Sequence, residues 1–276
     1  MPRGHHILAH ALRSVWARLP LTGLLLLGFT TADVAAYAVL DWLSDAGFLV
    51  HLLIGMLMLV PIGIVASIWH RTVLRPDLPP MNFKIALRYT VAWFVLGVIL
   101  FLMLSPFAAI AYGLYWLLLL ADPYLLDPIL MQILLDWGAG GGAVLAVATI
   151  PFLWLLYRCG LGLPHLALGQ GPMGVRDSRH RTKPLARACA ELAVLAGLAQ
   201  WALVSATAAV PLPDPSDVPP GATDWPLLLF EVSASANYGV IVIVGAALLT
   251  ELYRRSDPTY CPTTDSAGRL TPPTEP

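Results

Sequence analysis

The stretch that decides the fold is residues 158–187, RCGLGLPHLALGQGPMGVRDSRHRTKPLAR, which holds six Lys and Arg residues against a single Asp. It separates two apolar runs, 138–157 and 186–210. Short loops on the cytoplasmic side of a membrane protein concentrate Lys and Arg, and this bias sets the orientation of the chain. We therefore interpret the stretch as a cytoplasmic connection between two membrane-crossing helices.

The remaining basic residues extend the same pattern over the whole chain. All 16 Lys and Arg residues fall into four groups: before the first apolar run, between the second and third, within 158–187, and after the last run. The other three connections contain Asp but no Lys or Arg. A model with both termini in the cytoplasm places every basic residue on one side. It has six crossings of about 20 residues each, at 20–43, 48–69, 84–104, 138–157, 186–210 and 226–252.

Composition agrees with an all-α, polytopic membrane protein. The chain is 58% hydrophobic and 12% charged, against about 25% charged in soluble domains. Cys159, Cys189 and Cys261 all fall on the predicted cytoplasmic side, where disulfides are not expected. The pattern favours membrane lipid, and another membrane protein complex, as partners. It indicates no cofactor and no nucleic-acid partner.

Three regions are predicted along the chain. Residues 1–19 form an interfacial amphipathic helix, in which an apolar stripe including Ile7 and Ala11 runs beside Arg13, and Pro20 ends it. Residues 20–253 form the six-helix transmembrane domain. Residues 254–276, rich in Pro and Thr, form a disordered cytoplasmic tail.

Segment 105–137 leaves two interpretations open. A seventh crossing is excluded, because it would place the basic residues of 158–187 outside. Pro106 is expected to kink the third helix. Beyond this proline the chain either continues that helix obliquely or re-enters the bundle, before a short outer helix at 125–137.

Polar residues inside the crossings form the first candidate site, Asp33, Glu231 and Asn237. A carboxylate at mid-membrane costs about 2.5–3.5 kcal/mol on insertion scales, so Asp33 should face the bundle interior and have a partner. One interpretation is a solute or proton pathway. The other is a polar contact that holds helices together, with Asp33 bonded to Thr30, to Thr31 or to another helix.

Basic and histidine residues of the cytoplasmic side form the second candidate site, a surface for lipid or a partner protein. Each basic residue near an anionic leaflet contributes about 1 kcal/mol to binding. Orientation of the chain is the alternative explanation for the same charges. The candidate residues are His70, Arg71, Arg158, Arg176, Arg179, Arg181 and Lys183.

The pattern of residues contains no Ser/His/Asp set, zinc-protease motif or phosphate loop. We therefore favour a non-enzymatic accessory or scaffold subunit that binds lipid or another membrane complex. A small-solute transporter that uses Asp33 and the polar sixth helix is the alternative. A membrane enzyme acting on lipid is the third interpretation.

Two short motifs carry a resemblance. WHRTVL at 69–74, and YRCGLGLPHLALG at 157–169 followed by basic residues and Thr182, resemble uncharacterised six-helix membrane proteins of alphaproteobacteria. That group is similar to the membrane domain of bacterial glycerophosphodiester phosphodiesterases and to related domains of unknown function. The resemblance covers roughly residues 5–253 and implies a helical bundle in a bacterial inner membrane. The chain departs from the pattern at His165 and at Arg75-Pro76-Asp77. A soluble phosphodiesterase domain is not expected in it, so the resemblance does not imply that activity.

Overall fold

A computed structural model describes residues 3–43, 50, 57, 59–79, 82–121, 139–208 and 225–257. Every regular element in these ranges is helical. The elements are α1 Gly4–Trp16, α2 Leu19–Trp42, α3 Leu59–Leu74, α4 Phe83–Ala121, α5 Ala139–Cys159, α6 Gly162–Ala167, α7 Val175–Arg181, α8 Ala186–Ala208 and α9 Trp225–Ser256. A single 3₁₀ turn, Lys183–Leu185, leads into α8.

Four of these helices include stretches long and apolar enough to cross a membrane. They are Leu19–Leu40, Phe83–Pro106, Lys183–Leu203 and Leu228–Ser256. They correspond to the first, third, fifth and sixth predicted crossings. The other two predicted crossings, 48–69 and 138–157, lie only in part within residues that are described in full. In the part of the chain that the structure describes, the protein is thus an all-helical membrane protein with four candidate spans.

Helix α4 is longer than the predicted third crossing, which ended at residue 104. It runs for 39 residues from Phe83 to Ala121 and continues through Pro106. At 1.5 Å per residue its length is about 58 Å. Of the two interpretations of this segment, continuation of the helix is the one observed. The predicted outer helix at 125–137 lies outside the described residues.

The helix termini differ from the predicted boundaries at two places. Pro20 does not end α1, which stops at Trp16; it is the second residue of α2. Proline suits the first turn of a helix, because backbone N–H groups there have no intrahelical partner. At the other end of the chain, α9 continues through Ser256, so the first residues assigned to the tail are helical. Residues 258–276 lie outside the described part.

Among the described residues, the best-packed part is the end that carries the basic connections. We call it the basic end: α1, the last two turns of α3 and the first two turns of α4 with the connection between them, residues 154–187, and the last turns of α9. Trp69, Tyr89, Tyr157 and Tyr253 are among the largest fully buried side chains and all lie there. By contrast, α2, α4 and α8 leave large apolar side chains exposed along their length, among them Leu24, Phe101 and Leu198. Exposed apolar surface of this extent suits contact with lipid.

Candidate functional site

His70 lies at the centre of the basic end, with no exposed surface. Its Nδ1 is 2.7 Å from Thr250 Oγ1 and its Nε2 is 2.9 Å from Tyr89 Oη. The Thr250 hydroxyl donates its hydrogen to the carbonyl of Ala246, 2.8 Å away. It therefore accepts from Nδ1–H, and Nε2 accepts from the Tyr89 hydroxyl. This neutral tautomer satisfies all three side chains and joins α3, α4 and α9.

The adjacent Arg71 is also buried, and its partners are backbone carbonyls. Its Nε donates to the carbonyl of Pro79 at 3.0 Å and its Nη1 to that of Ala167 at 3.2 Å. Arg254 acts similarly from α9, with Nη2 at 2.8 Å from the carbonyl of Val73. Among the described residues no carboxylate lies within ion-pair distance of Arg71. The guanidinium of Arg71 thus links α3 to the α3–α4 connection and to the end of α6.

A second set of bonds fixes α7 on the end of α5. The Ser178 hydroxyl accepts from the N–H of Leu161 at 3.0 Å and donates to the carbonyl of Arg158 at 3.1 Å. The Arg158 guanidinium lies 5.7 Å from the centre of the Trp154 ring, and its Nη2 is 3.4 Å from the carbonyl of Arg179. Ser178 is fully buried. The short helix α7 therefore has a defined position rather than resting loosely on the bundle.

This position exposes three basic side chains of the predicted surface. Arg176, Arg179 and Lys183 are exposed. Within the described ranges none of the three has a carboxylate in ion-pair distance. Arg181 differs, because its Nη1 is 3.2 Å from Asp257 Oδ2. The seven residues predicted as one surface thus divide into buried His70 and Arg71, partly buried Arg158, paired Arg181 and these three exposed cations.

His165 takes part in a further network on the same end. Its Nδ1 is 2.8 Å from the Tyr253 hydroxyl, which donates to Gln170 Oε1 at 3.1 Å. Desolvation lowers the pKa of His165 and the charge of Arg181 lowers it further, while Asp257 and the bond to Gln170 oppose this shift. In the sequence, His165 stands out only as a departure from a motif. Its bonding to α9 explains why an imidazole fits at that position.

Of the three polar residues in the first candidate site, Asp33 is the one for which a contact between α2 and α9 is observed. Asp33 is buried, and its Oδ2 accepts a hydrogen bond of 2.6 Å from the Ser235 hydroxyl. Glu231 and Asn237, on the same helix as Ser235, are half-buried. The predicted need for a partner is met by another helix rather than by Thr30, whose hydroxyl is buried without a partner among the described residues.

Two glutamates that sequence inspection passed over hold α1 in place. Glu191 of α8 accepts from the N–H of Gly4 at 2.6 Å. Glu251 of α9 is buried and lies 3.1 Å from His10 Nδ1 and 2.8 Å from Arg255 Nε. A signal for Glu251 existed: an acidic residue in the last turns of a helix is opposed by the helix dipole and needs a cationic partner.

The described residues hold no cluster of three or more His, Cys, Asp or Glu side chains that fits a metal ion. The chain matches no family model, no curated protein and no solved structure.

Proposed function

We propose that this protein is a non-enzymatic accessory or scaffold subunit of a bacterial inner membrane, which binds anionic lipid at its basic end and supports another membrane complex. In this proposal the chain crosses six times with both termini in the cytoplasm. The four candidate spans and the one-sided distribution of Lys and Arg support that topology.

The observation that carries the proposal is the exposure of Arg176, Arg179 and Lys183 on a fixed support. A cation that already has a carboxylate partner gains little from a lipid phosphate. These three have no such partner among the described residues, and the bonds of Ser178 hold α7 in place. At about 1 kcal/mol per basic residue near an anionic leaflet, they contribute about 3 kcal/mol together.

Helix α1 supports the same proposal as an interfacial element. Its buried side, Gly4, Ile7 and Ala11, packs on α8 and α9. On its other sides Leu12 and Trp16 are exposed, Trp16 by 74%. Exposed apolar side chains next to Arg13 suit the headgroup region of an anionic leaflet.

The transporter alternative rests on Asp33. The bond to Ser235 supplies this carboxyl with a partner on another helix, as expected of a contact that holds α2 and α9 together. We therefore place the transporter second.

The test is purification in mild detergent, followed by mass spectrometry of the lipids and proteins that remain bound. The variant combines Arg176→Gln, Arg179→Gln and Lys183→Gln. Arg75→Gln is the matched control, because Arg75 is exposed but bonded to Asp77 through both Nε and Nη2. We expect anionic lipid to be lost from the triple variant and kept in the control. Equal anionic lipid in all three proteins would refute the proposal.

A further inference from the structure

A small apolar groove lies between α4 and the chain that follows α5. Its volume is about 120 Å³. Ala92 and Leu96 form one wall, on α4. Leu163 and Leu166 of α6, with Met173 and Val175, form the opposite wall. None of the described side chains that line it is charged.

The second wall depends on a close backbone approach at Gly162. A Cβ at this position would lie 2.9 Å from the carbonyl oxygen of Met173. Only glycine leaves room for the chain around residue 173 to fold back against α6. The wall is therefore held in place by the fold, and the groove is not a gap between loose surface side chains.

Positive charge borders this apolar groove. Arg176 directly follows the lining residue Val175. Cys159 also lines the groove, and the charges of Arg179 and Arg158 are within electrostatic reach of its thiol. On the other wall, Leu96 belongs to the candidate span Phe83–Pro106. The groove thus lies where a membrane-crossing helix meets exposed cations, and an amphiphile with an anionic head complements both features.

We propose that the groove takes part of one acyl chain of an anionic diacyl phospholipid, whose phosphate binds beside Arg176 and Arg179. This inference rests on the proposed function and assigns the lipid a defined place. Apolar burial alone does not favour the groove over the bilayer, because acyl chains are as apolar as the groove wall. The two arginines supply the selectivity for anionic phospholipid, and the groove determines where the acyl chain lies.

The test uses phosphatidylglycerol with a photoreactive diazirine in one acyl chain, in phosphatidylcholine vesicles containing the full-length protein. Peptide mapping should locate cross-links at residues 159–175 and 92–99. Ala92→Phe fills the groove and should remove them. Val98→Phe is the matched control, because Val98 is 41% exposed on another face of the same helix. Arg176→Gln with Arg179→Gln should lower labelling about 25-fold, as expected when two basic residues near an anionic leaflet are neutralised.

Three further arms separate the outcomes. Leu166→Trp blocks the groove from the other wall and replaces Ala92→Phe if that variant does not fold. Competition by glycerophosphoglycerol, the headgroup without acyl chains, should leave labelling unchanged; full competition would overturn insertion of the acyl chain.

If Ala92→Phe labels like the wild type while anionic lipid still co-purifies, the groove assignment fails and the proposed function stands. If the triple variant that also carries Lys183→Gln keeps its lipid as well, both fail.

Discussion

His70 illustrates what burial demands of a polar residue, because a buried imidazole needs partners for both ring nitrogens. Tyr89→Phe removes the donor to Nε2, and Thr250→Val removes the acceptor for Nδ1. Each change should lower the free energy of unfolding by about 1–3 kcal/mol, the cost of a buried group left without its partner. Unfolding in detergent with increasing SDS measures this. Tyr37→Phe, at a 55% exposed tyrosine, should change little, and a fully stable Tyr89→Phe would contradict the network.

Asp33 allows a second prediction, on the choice between a structural and a transport role. Asn keeps an oxygen that accepts from the Ser235 hydroxyl, so Asp33→Asn should leave stability and growth nearly unchanged. Asp33→Leu removes the acceptor and should destabilise by about 1–3 kcal/mol. Thermal unfolding in detergent, measured beside growth, distinguishes these outcomes. Loss of growth in a stably folded Asp33→Asn protein would favour the transporter.

The sequence shows which polar residues need a partner but not which residue supplies it. Insertion energetics demanded a partner for Asp33, and Ser235 was visible as one of several polar residues of α9. The pairing depends on how each helix is rotated about its axis. A helix that is apolar on nearly every side, such as α2, does not specify that rotation through its sequence pattern. For the same reason, the hydrogen bonds of His70 with Tyr89 and Thr250 could not be predicted from the sequence.

Between elements, the α3–α4 contact requires a residue without a side chain. A Cβ at Gly63 would overlap the Thr90 side chain. Gly63→Ala should therefore cost about 1–3 kcal/mol, as overpacked contacts do. Gly97→Ala in α4 is the control, because its Cβ would meet nothing within 4 Å and alanine favours the helix by up to about 1 kcal/mol. Unfolding of both variants by SDS measures the difference in their free energies of unfolding. Equal stability of the two variants would indicate that α3 and α4 lie farther apart at Gly63.

Helix positions were more predictable than helix ends. The predicted crossings 20–43 and 186–210 agree closely with α2, Leu19–Trp42, and α8, Ala186–Ala208. Each of these two helices is an apolar run bordered by stretches that are richer in polar residues or proline. Helix α4 has no such border after residue 104, and Pro106, which was expected to kink the helix, lies inside it.

For the molecule as a whole, the proposed topology rests on the distribution of charge and can be tested directly. Six crossings with both termini inside should give external signals from reporter fusions at Asp45, Asp127 and Pro219, and an internal signal after Arg255. The reason is that this arrangement keeps every Lys and Arg on the cytoplasmic side. An internal signal at Asp127 would exclude the six-crossing model.

The two glutamates that bind α1 also set an order of assembly. The partner of Gly4 lies 187 residues later in the chain, and at 5–20 residues per second ribosomes need about 10–40 s to reach it. During that time α8 and α9, on which the inner face of α1 packs, are not yet made, so we expect the membrane surface to cover this face. Helices α8 and α9, which are synthesised last, then pack against α1. Nascent chains halted before Ala186 should therefore leave residues 4–16 open to a protease that cannot cut them in the finished protein.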